Sequence, residues 1–136
     1  MKASSFSFKI ATVMALTGIA MGIGMAASHD HSLMPAHAHL NLLGWVSLFL
    51  FGIYYKLNPN TDASRLAVIQ VGVWTLGTVV LTAGVAAIHL GNAGAEPAAA
   101  IGSLVLLAGM LLFTLLVFRP AAADRISPAV AMTPAE

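Results

Sequence analysis

Cysteine is absent from the 136 residues. That excludes disulfides, thiolate metal sites, iron–sulfur clusters and thioether-linked C-type heme. Charge is scarce as well: Asp, Glu, Lys and Arg make up 8% of the chain, against about 25% in an ordinary soluble domain. The few cations form no basic patch with interleaved aromatics, so nucleic acid is not an expected partner. Carboxylates are missing from the interior of every long apolar run. An intramembrane ion or proton path is usually marked by ionisable side chains, and none is offered here apart from imidazole.

What fills the chain is apolar: 59% of it is hydrophobic. Four stretches lack charge, bounded by Lys9 and Asp30, Asp30 and Lys56, Arg65 and Glu96, and Glu96 and Arg119. Each is long enough for the about 20 residues that carry a helix across the hydrocarbon core. The runs are continuous rather than alternating, so they suit helices and not barrel strands. The expected fold is an all-α, integral membrane four-helix bundle over residues 1–119. Its helices span roughly 7–28, 36–56, 66–90 and 97–119. An Ala/Pro-rich tail at 120–136 is expected to be flexible.

The six basic residues set an orientation. Lys2 and Lys9 open the first helix, Lys56 and Arg65 flank the loop between the second and third, and Arg119 and Arg125 follow the fourth. All fall on one side, with Asp30 and Glu96 on the other. The positive-inside bias makes the basic side cytoplasmic, with both termini there. The expected setting is a bacterial-type inner membrane. A cleaved signal peptide is the alternative for the first helix, since Ala26, Ala27 and Ser28 follow a basic start and an apolar core. Met25 at the −3 position fits such a cut poorly.

Turn formers Asn58, Pro59, Asn60 and Asp62 occupy the inner loop, and Asp62 or Ser64 is the expected cap of the third helix. Pro35 and Pro97 suit the first turns of the second and fourth helices. Met14, Met21 and Met25 fit apolar packing better than copper–thioether ligation. Thr75, Thr78 and Thr82 are expected to bond back to their own helix, so they imply no pore. Tyr54 and Tyr55 suit the inner interface.

The five histidines all map to the outer half: His29, His31, His37, His39 and His89. Within the second helix His37, Asn41 and Gly44 share a face. His39 lies about 200° round from His37, so a regular helix cannot aim both rings at one ion. His29 and His31, in a polar loop, could turn toward a shared ion or simply meet water. Burial of His37 and His39 would favour neutral, ligating imidazole. Histidine alone suits heme iron, copper or zinc. Gly18, Gly22, Gly44 and Gly84 are candidates to leave room for a heme, although Gly44 also suits packing between helices. His29, His31, His37 and His89 are the candidate group for copper. Asn41 is a candidate to hydrogen-bond a ligand, and Glu96 is expected at the surface or beside a helix dipole.

The H-x-H pair of His37 and His39, at the outer end of the second helix, resembles subunit I of the heme-copper oxidase superfamily. That family builds twelve helices from three units of four, with ligands concentrated in each unit's second helix. The resemblance implies that His37 faces a high-spin-type site and His39 a six-coordinate heme b. It also implies homo-oligomerisation, a trimer imitating twelve helices or a dimer sandwiching a heme, because one unit cannot supply every ligand. The family's adjacent copper-ligating histidines and its proton-channel carboxylates have no counterpart here, so no proton pump is implied.

Several functions follow as expectations. The first is a heme- or copper-binding membrane protein in electron transfer, with a redox partner, or in sensing or metal handling. The others are a non-catalytic structural or assembly subunit, a small oxygen or nitric oxide reductase, and a small transporter. The reductase needs an open coordination site and an electron donor, and the sequence displays neither.

Overall fold

In the computed structural model, which describes residues 1–119, all regular structure among those residues is helical. Four helices are long and apolar enough to cross a membrane. They are α1 (Ala3–Ser28), α2 (Met34–Leu57), α3 (Arg65–His89) and α4 (Glu96–Val117). At 22 to 26 residues each, they measure about 33–39 Å, enough to cover a core about 30 Å thick. The expected tail at 120–136, and Arg125 with it, lies outside the described residues.

The chain forms two antiparallel hairpins that lean on each other through α3. Glycines determine how closely the helices of each hairpin approach. In the α3–α4 hairpin Gly77 and Gly84 lie seven apart on α3, and Gly102 and Gly109 seven apart on α4. A Cβ on Gly84 would meet the Ala99 backbone nitrogen at 2.6 Å, and one on Gly77 would meet that of Leu106 at 2.9 Å. A Cβ on Gly102 would collide with the Leu81 backbone. Small residues at such spacing let backbones touch, which lipid-exposed helices need because no hydrophobic force drives them together.

The α1–α2 hairpin uses the same device against side chains. Gly18 receives Asn41, Gly22 receives the His37 ring, Gly44 receives Met14 and Gly52 receives Phe8. The expectation that Gly18, Gly22, Gly44 and Gly84 hold room for a heme is therefore corrected. Their space is already filled by neighbouring side chains or backbone. Met14 packs as an apolar filler, as the sequence suggested.

Polar groups inside the bundle join the elements. The Tyr55 hydroxyl donates to Gln70 Oε1 at 2.7 Å, and Gln70 Nε2 reaches the Gly109 carbonyl at 3.4 Å, so one buried glutamine links three helices. Tyr55, two residues from the end of α2, is fully buried within the bundle and packed beside Phe113. The reason is its partner: a buried phenol is tolerated where its hydroxyl is satisfied. Ser7 Oγ donates to the Leu48 carbonyl at 2.6 Å, tying α1 to α2. Thr75 and Thr78 bond back to Val71 and Trp74, as expected, whereas the Thr82 hydroxyl is buried with no partner.

The α2–α3 loop holds a one-turn helix, Pro59–Asp62. Ser64 caps α3, its Oγ accepting the Ala67 amide at 3.2 Å. Asp62 does something else. Its carboxylate accepts the Ser4 amide and hydroxyl, at 2.7 and 2.9 Å. It thus serves the first turn of α1, which has no cap of its own. This explains why α1 starts at Ala3 and not near residue 7. The start of α1, the α2–α3 loop and the end of α4 consequently share one end of the bundle, together with Lys2, Lys56, Arg65 and Arg119.

Candidate functional site

Chain direction brings all five histidines to the opposite end, where α1 and α3 finish and α2 and α4 begin. Four of them, His29, His37, His39 and His89, are held by local contacts.

His29 terminates α1. It takes the left-handed conformation, with φ 56° and ψ 15°, a backbone state that usually falls to Gly or Asn at this position. The next residues form a tight polar loop. Asp30 Oδ1 accepts the Ser32 amide at 2.9 Å and the Ser32 hydroxyl at 2.5 Å. The Ser32 hydroxyl and then its amide hold the Asp30 carboxyl below the ordinary carboxylate value. Asp30 is thus engaged in shaping the loop between exposed His29 and His31.

His37 and Asn41 lie one turn apart on α2 and face α1. A Cβ on Gly22 would lie 3.2 Å from His37 Cε1, so the ring rests directly on the α1 backbone. Asn41 Nδ2 donates to the His37 carbonyl at 2.9 Å and stands 3.3 and 3.2 Å from the two ring nitrogens. The expected face of His37, Asn41 and Gly44 therefore exists, and α1 covers it. Asn41 hydrogen-bonds within its own helix, and Gly44 is a packing contact.

His39 is half-buried and held differently. Its Nδ1 lies 2.7 Å from the Pro35 carbonyl oxygen. A carbonyl can only accept, so Nδ1 carries the proton, and in the neutral ring the lone pair is on Nε2. His89, exposed at the end of α3, repeats the arrangement with its Nδ1 2.9 Å from the Val85 carbonyl. Fixing one ring nitrogen on a backbone carbonyl is how proteins set the tautomer of a ligating histidine.

Below His39 the helix changes pitch. Residues Leu40–Ser47 form a π-helix, a rare feature that often marks functional sites. The sequence led to a regular helix across 36–56, so this is a correction. Side-chain donors support the wider turns: Ser47 Oγ donates to the Leu42 carbonyl at 2.8 Å, and Trp74 Nε1 to the Leu43 carbonyl at 2.9 Å.

Among the described residues, no three His, Asp or Glu side chains stand close enough to hold one metal ion. The expected copper group of His29, His31, His37 and His89 shares an end of the bundle without converging in one chain. Local duties account for this: His29 caps a helix, His37 packs on Gly22, and His89 is anchored along its own helix. Glu96 is exposed in the first turn of α4, where a carboxylate complements the helix dipole.

No protein-family model, curated protein or solved structure matches the chain. The residues themselves are thus the ground for a functional reading.

Proposed function

We propose that this is a membrane heme protein in which His39 is an axial ligand, serving electron transfer or sensing at the end opposite the basic cluster. The single observation that carries the reading is the 2.7 Å contact between His39 Nδ1 and the Pro35 carbonyl. It orients a half-buried imidazole near the end of a membrane helix and leaves Nε2 as the basic nitrogen. The donor set fits a heme better than a copper centre, because a heme needs one imidazole on a face whereas copper prefers two or three converging rings. Bound heme would supply a one-electron couple.

The apolar ring would have to rest outside the α1–α2 interface, since the glycines there are occupied. Leu42, Trp45 and Phe49, on the segment that follows His39, are exposed and offer apolar surface. A second copy of the chain would complete such a site. This keeps the homo-oligomer, as a trimer or dimer, within the proposal. The charge asymmetry supports a cytoplasmic basic end, which would put the histidines at the periplasmic or exterior side.

The test is a visible spectrum of the protein purified in mild detergent, oxidised and reduced, with metal analysis on the same sample. A Soret band with sharp reduced-state bands, lost in His39→Ala and retained in His31→Ala, is the expected result. A colourless, metal-free protein from cells supplied with heme and copper would overturn the proposal in favour of a non-catalytic membrane subunit. A colourless protein with stoichiometric copper would overturn the heme assignment and point to imidazoles pooled between chains.

A further inference from the structure

The basic end of the bundle holds a cavity that the histidine site does not use. It is an open hollow of about 460 Å³ between the end of α2, the α2–α3 loop and the end of α4. Its polar lining comprises Tyr54, Asn58, Asn60, Thr61, Ser64 and Arg119. Leu57, Pro59, Leu116 and Val117 form the apolar wall.

Four features define what would fit. Among the described residues the one charged residue in the lining is Arg119, whose guanidinium is a planar donor that suits the oxygens of phosphate. Lys56 and Arg65 lie at the same end of the bundle, outside the lining. Among the described residues of the α2–α3 loop the one carboxylate, Asp62, is 3% exposed and engaged by the Ser4 amide and hydroxyl. The hydroxyl donors remain usable. Ser64 Oγ accepts from Ala67, which leaves its own proton to donate. The Asn58 amide, by contrast, is committed to the Tyr54 carbonyl at 2.7 Å.

We propose that this cavity binds a phosphate group, with Arg119 as its ionic partner and Ser64, Thr61 and Asn60 as neutral donors. The apolar wall at the end of a membrane bundle makes an anionic phospholipid headgroup the natural source, with its acyl chains leaving along α4. Basic pockets at the cytoplasmic ends of membrane helices take such headgroups. Free phosphate carries the same chemistry and is the other source to be distinguished.

The experiment is native mass spectrometry of the full chain released from detergent micelles containing equal phosphatidylglycerol and phosphatidylcholine. Wild-type protein is expected to retain phosphatidylglycerol preferentially. Arg119→Gln should reduce retention about fivefold, the effect of one lost surface cation on an anionic lipid. Lys9→Gln, which removes a cation outside the cavity, should leave retention unchanged. Thermal unfolding of each variant guards against misfolding, and Asn60→Ala provides a second lining variant with a smaller expected loss. In a parallel arm, inorganic phosphate is titrated without lipid. An Arg119-dependent rise in melting temperature with no lipid preference would retain the site and assign it to free phosphate. Equal loss from Arg119→Gln and Lys9→Gln, or no Arg119-dependent binding of either ligand, would overturn the proposal.

Discussion

Asp62 caps the first turn of α1 through Ser4, 58 residues before it: its Oδ1 accepts the Ser4 amide at 2.7 Å and its Oδ2 the Ser4 hydroxyl at 2.9 Å. A carboxylate there satisfies one of the free N–H groups that open every helix and complements the positive end of the dipole. It also fastens the first hairpin to the loop leading into the second. Asp62→Ala should cost about 1–3 kcal/mol, because the Ser4 groups become buried without an acceptor. Ser4→Ala removes only the hydroxyl contact and should cost about 1 kcal/mol or less. Thermal unfolding in one detergent checks both, and equal melting temperatures for wild type and Asp62→Ala would sink the capping role.

The glycines separate into two groups by what surrounds them. Gly102 lies against the Leu81 backbone, whereas Gly24 and Gly72 have nothing within 4 Å of an added Cβ. Gly102→Ala should push α3 and α4 apart and destabilise by about 1–3 kcal/mol, the usual cost of overpacking. Gly24→Ala and Gly72→Ala should be neutral or stabilising by up to about 1 kcal/mol, since alanine is the better helix former. The check is the order of melting temperatures across the three variants. Loss of stability in Gly72→Ala equal to that in Gly102→Ala would show that close approach is not the cause.

The four helices were legible because membrane spans announce themselves in one dimension, through runs without charge between Lys9, Asp30, Lys56, Arg65, Glu96 and Arg119. The ends were legible where the signal is local, as at Pro35, Ser64 and Pro97. What escaped was non-local. Nothing near Asp62 in sequence says that its partner is Ser4, and nothing near Tyr55 says that Gln70 draws it inward. The π-helix at Leu40–Ser47 receives a donor from Trp74 of another helix, which its local composition does not reveal. At the candidate site the sequence marked His37, His39, Asn41 and Gly44 as a group. It could not tell that α1 covers His37 through Gly22 while His39 is held by its own helix.

Asp30 offers a pH test outside the membrane. The Ser32 hydroxyl and amide stabilise its charged form and hold its folded value below the ordinary 3.8. For a depressed carboxylate, the stabilising contribution is present above the unfolded value and is lost as pH falls through the folded one. The loop order at Asp30–Ser32 should therefore persist through neutral and mildly acidic conditions and relax only below that ordinary value. The Asp30 carboxyl ¹³C shift, followed by NMR against pH, gives the midpoint. Ser32→Ala should move that midpoint back up, and an unchanged midpoint would refute the assigned cause.

The indole of Trp74 is the one donor that reaches from α3 into the π-helix of α2. Its N–H bonds the Leu43 carbonyl at 2.9 Å while its ring meets Phe51 edge-on at 5.0 Å. The amide of Leu48, where regular helix resumes, goes to the Trp45 carbonyl. If the indole supports the wider turns, removing the donor while keeping an aromatic ring should affect the backbone locally. Trp74→Phe should lower stability by about 0.5–2 kcal/mol, the range for a hydrogen bond between membrane helices. It should also raise the isotope-edited infrared frequency of the ¹³C-labelled Leu43 carbonyl, because a weaker hydrogen bond stiffens C=O. Trp45→Phe, on a ring 45% exposed, is the control and should leave that band in place. A Leu43 band that does not move in Trp74→Phe would mean that the π-helix is maintained by its own ladder, with the indole contributing only packing.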